Sequence, residues 1–453
     1  MQAPAKTNSL ESQVPVCDWT YDEVASKRQR YLTPALRTFT AFERPLLIKR
    51  GQGQFVWDAD GRQYLDCVAQ NLCVSVGYNH PAVNAAIAAQ MADAQHVTTA
   101  YYHPQPAHFA EELVATLPAG VDWVVHFVNS GSEAVDVALL AARTFTRNFE
   151  LLTLRNSYHG MHFGAMAATG LSLSHQPTPG AAGFVHVHNP DAYRGAYKDV
   201  PGNGVDPYVE DIRRVIDSST PGVVAGMLVE PMLGYGGVIP MPPGYLSRAA
   251  EVVRAAGGVF MVDEIQTGVG RTGASLWAFE QHGVVPDVIV TSKGIGNGFP
   301  LAAVVMRRDM AESMAHRKFF NTYGSNPMAC AAGRAVLATI EREGLRENAA
   351  AMGALLAPAL ASLQARHEWI GDVRGQGLLW GVEIVSDRHT REGGDVQAGQ
   401  LQERLLEQGV IVGRSGQRRN VLRINPPLCF AREDVDQLVG ALDVALSAVS
   451  RSR

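Results

Sequence analysis

The sequence predicts an α/β fold built on a doubly wound, mostly parallel sheet. Three observations carry that expectation. In the central third of the chain, short apolar runs alternate with segments whose apolar positions recur at helical spacing, the order that parallel strands with helical crossovers require. Two of these runs, within 259–270 (VFMVDEIQTGVG) and 287–300 (DVIVTSKGIGNGFP), stop at Asp263 and Lys293, 30 residues apart. That spacing is about one strand, helix, strand unit, so both side chains are expected at one edge of the sheet, where open α/β folds bind ligands. Finally, 46% hydrophobic and 18% charged residues over 453 positions describe a globular chain with a large core.

Taken in order, residues 1 to about 20 read as unstructured and 21–32 as a short helix. Residues 46–66 (LLIKRGQGQFVWDADGRQYLD) read as a β-meander, with Asp60-Gly61 turning between Phe55-Val56-Trp57 and Tyr64-Leu65. After the loop 77–80, Pro81 stands where a proline opens a helix, and 82–94 carries it. The strand 123–128 (WVVHFV) runs into Asn129-Ser130-Gly131-Ser132-Glu133, and 134–145 has helical spacing, so a glycine turn joins strand to helix. Ser130 and Glu133 fit a capping box there. Strand 151–154 leads to Tyr158-His159-Gly160, and strand 223–230 (VVAGMLVE) to a glycine-rich loop through Gly237. The amphipathic helix 245–256 precedes the Asp263 strand. Beyond Lys293 come the loop 319–327 (FFNTYGSNP), a helix rich in small residues over 328–342, hairpin-like 371–384, a helix over 397–408, a strand over 421–427 and a closing helix over 433–450. The divisions this implies are an N-terminal segment 1–80, a large unit 81–334 and a C-terminal unit 335–453.

Composition excludes several classes of function. A net charge of -5 with no Lys/Arg-rich run argues against a nucleic-acid surface. The five cysteines (Cys17, Cys67, Cys73, Cys330, Cys429) are scattered, odd in number and without a CxxC pair, which predicts neither a disulfide framework nor a zinc site. His186 and His188 flank one residue in a strand-like run with no carboxylate or cysteine set nearby, so no metal centre is expected. The start, MQAPAKTNSLESQ, has no apolar secretion core, Glu11, Asp18 and Asp22 interrupt an arginine-rich transit pattern, and no apolar run reaches the roughly 18 residues of a membrane span. A cytoplasmic protein without membrane or nucleic-acid partners is the expectation.

The strand ends carry a chemically coherent set. Lys293 passes at once into Gly294, Gly296 and Gly298, and a lysine held where burial disfavours its charge is an amine nucleophile able to form a Schiff base with an aldehyde. Gly131 and Ser132 place unblocked N–H groups and a hydroxyl at a helix N-terminus, a ready anion site. Tyr158 offers an aromatic face at a strand end, Glu230 and Asp263 offer carboxylates, and Gln266 follows Asp263 by three residues. Anion cradle, aromatic, carboxylate and lysine are the parts that pyridoxal phosphate needs. Its aldehyde takes the lysine, its phosphate the helix N-terminus, and its pyridine nitrogen stays protonated facing a carboxylate.

With these motifs in place, NSGSEA, YHG, EP in a glycine-rich context, DEIQTGVGRTG, SKGIGNGFP and FNTYGSNP, the chain resembles the class III aminotransferases of fold type I from about Arg44 to Leu446. It is most similar to the branch acting on alanine with glyoxylate and on 3-aminoisobutyrate with pyruvate. The resemblance implies a large domain around the mostly parallel sheet and a smaller α/β domain built from both chain ends. It implies Lys293 as Schiff-base lysine and proton carrier, Asp263 against the pyridinium nitrogen and Gln266 against the ring hydroxyl. Ser130, Gly131, Ser132 and Glu230 would belong to the cofactor site, Tyr158 would stack on the ring, and Thr322 would reach the phosphate from a neighbouring subunit in a homodimer or dimer of dimers. Arg423 would bind the substrate carboxylate bidentately. One departure bears on substrate: relatives acting on ornithine, acetylornithine or 4-aminobutyrate carry a glutamate that masks this arginine, and here the position is Tyr235. The competing expectations are a lyase acting on phosphorylated amino alcohols, a dialkylglycine-type decarboxylase, and a non-catalytic regulator, which would tend to have lost the lysine.

Overall fold

The computed structural model describes residues 19–37, 41–175, 180–200, 204–316 and 318–449. Its frame is a seven-stranded sheet in the order Trp123–Val128, Ala302–Arg307, Val288–Thr291, Val259–Asp263, Gly226–Val229, Leu151–Leu154, Phe184–Val187. Neighbours run parallel except where Ala302–Arg307 pairs antiparallel with Val288–Thr291 on one side and Trp123–Val128 on the other. The central strands are buried along their whole length, so they read as unbroken apolar runs rather than as alternating ones. Successive side chains still part to opposite faces: Met261 and Val290 join Ala134, Val135, Ala138 and Leu139 of the helix Gly131–Thr146, while Phe260, Val262 and Ile289 join Tyr245, Leu246, Val209 and Phe109 on the other side. The carboxyl ends of the parallel strands therefore share one edge, and the segments 155–160, 230–238, 264–271 and 292–298 leave from it.

Two smaller sheets complete the frame. The meander Ile48–Gln52, Phe55–Asp58, Gln63–Asp66 is joined by Val410–Ile411, which pairs in parallel with Gln63–Asp66, so chain segments more than three hundred residues apart share a sheet. Ile370–Gln376, Leu379–Asp387, Val421–Ile424 and Gly413–Ser415 form the other, with Glu392–Gly393 paired to Leu379–Asp387.

Several elements escaped the sequence reading. The strand Ala302–Arg307 and the helices Pro104–Val114 and Val205–Ser219 were not expected, nor was the 22-residue helix Leu345–Arg366. The last holds Pro358, a breaker signal, and many alanines that blunt its periodicity; its buried stripe of Leu345, Ala349, Gly353, Leu356, Leu360 and Leu363 packs on Ile370–Gln376 and the closing helix Arg432–Ala448. That helix has the length and mean hydropathy of a membrane span, yet its apolar stripe is spent inside the fold. The strand expected over 223–230 is shorter, Gly226–Val229, and a small pairing of Met232–Leu233 with Ile239–Pro240 holds the glycine loop that follows. Cys17 and residues 1–18 lie outside the described residues.

Candidate active site

Lys293 leaves the end of Val288–Thr291 in a short turn, Lys293–Gly296, with a φ of 48°, a left-handed conformation uncommon outside glycine. The turn is held from the other end of the chain. Ser75 Oγ donates to the Gly294 carbonyl, Asn297 Oδ1 accepts from Val76 N at 3.0 Å, and Asn297 Nδ2 donates to Gly77 O at 3.0 Å. Just before this brace, Ala69, Gln70, Asn71 and Leu72 are all left-handed (φ 47°, 49°, 60° and 69°), a costly run for non-glycine residues, and Cys73, which follows it, lies within electrostatic range of Lys293 and Arg423. Among the described residues the Lys293 amine takes no hydrogen bond or ion pair. Burial lowers its pKa to about 8, the Arg423 guanidinium pushes the same way, and Cys73, Asp263 and Glu230 oppose.

Asp263, at the end of its strand, is buried. Its Oδ2 meets His159 Nδ1 at 2.8 Å and its Oδ1 accepts from Ile265 N at 3.1 Å. His159 is the partner that the sequence reading missed, because 104 residues separate the pair and the YHG motif by itself points to the tyrosine. Gln266 is 5% exposed and its Oε1 is buried without a partner, pressed against Gly234, whose replacement by any larger residue would place a Cβ 2.4 Å from that oxygen. Glu230 is used on backbone: Oε1 accepts from Tyr158 N and Oε2 from Gly234 N, both at 2.9 Å. It thus braces two of the site's loops, and burial raises its pKa against the pull of His159. The Tyr158 ring stands edge-on to Tyr235 with centroids 5.4 Å apart.

At the start of Gly131–Thr146, Ser130 Oγ accepts from Glu133 N at 3.3 Å. The expected capping box is only half formed, since the Glu133 carboxylate turns to Asn129 N (2.9 Å) and to the side chains of Asn129 and Asn321. Ala134 N makes the first helical bond, to Ser130 O, so the Gly131 and Ser132 amides are left as helix-terminal donors. Ser132 Oγ accepts from Met161 N at 3.0 Å, which leaves its own proton to donate. A Cβ on Gly131 would lie 2.7 Å from Ile265 Cδ1, and one on Gly160 2.4 Å from Ser132 Oγ, so the cradle is closely drawn.

Arg423 lies in Val421–Ile424, is 3% exposed, and keeps Nε and Nη2 buried with no partner among the described residues. Burial lowers its pKa to about 10, and the neighbouring Tyr235, Glu230 and Cys73 oppose that shift. Of the expected set, Thr322 alone stands apart: it is exposed, in a turn tied through Asn321 to Glu133 and Asn129. The rest converge at the sheet edge. An orphaned amide oxygen, free helix-terminal donors, a buried carboxylate and an unpaired amine fit the donor set of pyridoxal phosphate.

The family described as "Aminotransferase class-III" matches residues 39–446. The chain is 41% identical over 426 residues to the Arabidopsis thaliana protein named "Alanine--glyoxylate aminotransferase 2 homolog 2, mitochondrial", covering 94% of this chain and 87% of that one. Among solved structures, a phospholyase from Arthrobacter in complex with phosphoethanolamine superposes with a TM-score of 0.88 at 32% identity, over 94% of this chain and 100% of the other. A PLP-bound amine transaminase from an uncultivated Pseudomonas species superposes with a TM-score of 0.84 at 32% identity, over 89% and 95%.

Proposed function

The chain belongs to the class III aminotransferases, and from that premise we propose which residues carry its chemistry, which substrates it prefers and how it assembles. It is a pyridoxal-phosphate-dependent enzyme that moves an amino group from an amino acid to a 2-oxo acid. When bound, the cofactor supplies a protonated ring that accepts the electron pair of a bond broken at the substrate's α-carbon.

The protein's part is to bind, orient and move protons. Gly131 N, Ser132 N and the Ser132 hydroxyl would hold the phosphate, with Ser130 and Glu230 shaping the loops around it. Asp263 keeps the ring nitrogen protonated, and His159 holds the Asp263 carboxylate in place. Gln266 Oε1, which has no partner among the described residues, would accept from the ring hydroxyl, and Tyr158 would offer its aromatic face to the ring. Lys293 forms the covalent link. In the cofactor-free protein burial lowers the pKa of its amine to about 8, toward the range in which a side chain can move a proton, and it would be the group that does so at the substrate's α-carbon.

Arg423 binds the substrate carboxylate. The observation that carries the substrate reading is its buried Nε and Nη2, without a partner among the described residues, with a tyrosine rather than an acid at the neighbouring position 235. A guanidinium that no described residue pairs favours substrates that bring a carboxylate, such as alanine or a β- or ω-amino acid as donor and pyruvate or glyoxylate as acceptor. The name of the Arabidopsis relative supports the same pair.

A homodimer, or a dimer of dimers, completes the site with Thr322 from the partner. Exposed Tyr101, Tyr102, Phe319, Phe320 and Tyr323 support this: they lie on two loops held together where Asn326 donates to Gln95 O and His96 packs against Tyr323. The free thiols of Cys67, Cys73, Cys330 and Cys429 support a reducing, cytoplasmic setting. The test is turnover of a panel of amines with pyruvate, glyoxylate and 2-oxoglutarate, by wild type and by Lys293→Ala. Wild type should require an oxo acid and Lys293→Ala should lose turnover. Near wild-type rates in Lys293→Ala would remove the central assignment, and phosphoethanolamine breakdown without an oxo acid would place the enzyme with the lyases.

A further inference from the structure

The turn 234–238 that carries Tyr235 is strained and clamped. Val238 is fully buried with a φ of 53°, and a β-branched residue in the left-handed region is a true conformational outlier; Gly237 beside it has a φ of 123°. Such a conformation persists only where its surroundings impose it. Gly234 N donates to Glu230 Oε2 at 2.9 Å, Gly236 O accepts from Asn156 Nδ2 at 2.7 Å, and Tyr235 O accepts from Gly416 N at 2.9 Å. The strained pair itself is held by Arg374. Its Nε donates to Gly237 O at 2.9 Å and Val238 O at 3.0 Å, and its Nη2 donates to Gly237 O at 2.7 Å. Its remaining nitrogen, Nη1, is anchored on Asp372 at 2.7 Å and Glu383 at 2.6 Å.

Strand register makes this clamp part of the substrate pocket. Arg374 lies opposite Gly381, and Gly381 opposite Arg423, so the two arginines stand in one row across three strands with a glycine between them. Directly opposed residues share a face. The turn lies in the gap over Gly381, where an added Cβ would come 3.0 Å from Val238 Cβ and 3.1 Å from Gly237 O. One arginine of the row holds the turn, and the other has the tyrosine that the turn carries as an electrostatic neighbour. We propose that Arg374 is a positioning residue for substrate recognition: it holds the strained turn over Gly381 and so fixes Tyr235 against Arg423. This rests on the reading of Arg423 as the carboxylate-binding residue.

The experiment compares holoenzyme variants in two readouts, the affinity for propionate by calorimetry and the KM-against-kcat split for alanine and for an amine without a carboxylate. Arg374→Lys keeps a charge for Asp372 and Glu383 but cannot fork onto two carbonyls. It should weaken propionate binding and raise the alanine KM by about tenfold, with kcat, the cofactor's absorbance and the carboxylate-free amine little changed. Arg194→Met is the control, because Arg194 also pairs with Glu383 but does not touch the turn. It should leave both readouts within about twofold. An unchanged propionate affinity in Arg374→Lys, or an equal loss in Arg194→Met, overturns the inference. Should Arg374→Lys not fold, Gly381→Ala carries the test: selective loss of carboxylate affinity supports the clamp, and wild-type affinity refutes it. A wild type that shows no preference for carboxylate-bearing amines overturns the Arg423 reading and this inference together.

Discussion

The Lys293 amine is the place where electrostatics make the sharpest demand. Burial and, second, Arg423 bring it from an ordinary 10.5 to about 8. Near pH 7.5 roughly a quarter of such amines are neutral, against about one in a thousand for an unperturbed lysine, so the form that captures the cofactor should be roughly two-hundredfold more abundant than in an ordinary lysine. In the apo-protein, mixed with pyridoxal phosphate in a stopped-flow cell, the capture rate should climb with pH up to about 8 and then level. Two variants shift that break in opposite directions. Arg423→Met removes a like charge, so the break rises, but it stays below 10.5 because burial is the larger cause; Asp263→Asn removes an opposing charge, so the break falls. The cofactor's own titrations are common to all three proteins and cancel in the comparison. Linkage gives a second reading of the same shift. A folded-state value below the unfolded one means that the unfolded chain binds more protons between about 8 and 10.5, so apo-protein stability should rise across that window, by at most about 3 kcal/mol from this group. A rate that keeps rising to the ordinary lysine range without a break, or variants that move it the same way, would refute the reasoning.

Asp263→Asn should keep the fold and slow turnover by about 10³-fold, and His159→Leu should cost less; in the double variant the losses should not add, because His159 acts through Asp263. Additive losses in kcat/KM would mean that His159 has a separate role. Arg423→Ala should depress kcat/KM for alanine or 3-aminoisobutyrate far more than for an amine without a carboxylate, and equal losses would show that Arg423 does not read the carboxylate. Tyr102→Glu combined with Phe320→Glu places charges in the exposed aromatic patch and should yield monomers in sedimentation with cofactor affinity reduced as Thr322 is lost. An intact dimer would move the interface elsewhere.

What was legible in the sequence was local. Asp263 and Lys293 end apolar runs, and the glycines after Lys293 mark a backbone turning sharply, so both the sheet edge and the lysine could be read from neighbours in the chain. The cradle at Gly131 and Ser132 was legible for the same reason, as a strand running into a helix start. His159 and Arg374 were illegible because their work is done on partners 104 and 136 or more residues away, and nothing in a single sequence pairs them. Ala302–Arg307 was missed because a buried antiparallel strand within a parallel sheet carries no alternation to announce its direction. The half-formed capping box at Ser130 shows the converse failure: Glu133 stands at the right spacing, but a local contact with Asn129 and a tertiary one with Asn321 claim its carboxylate.

The charges of the site explain why its selectivity should lie in anions. Lys293, Arg423 and Arg271 are three cations whose pKa values burial lowers to about 8, 10 and 9. Arg271 is turned to the carbonyls of Leu378 and Pro426, and Arg423 leaves Nε and Nη2 unpaired. On the acidic side Asp263 is engaged by His159, and Glu230 is spent on two backbone amides. Among the described residues the pocket is therefore short of negative charge, and Tyr235 does not supply it. A phosphate at the Gly131 helix and a carboxylate at Arg423 would each relieve part of that imbalance, and a ligand lacking its anion leaves a buried guanidinium unpaired. With Arg423 as the carboxylate-binding residue, discrimination would come from the cost of the unpaired cation in the rejected complex, and the proposed clamp would set that cost by holding Tyr235 in place.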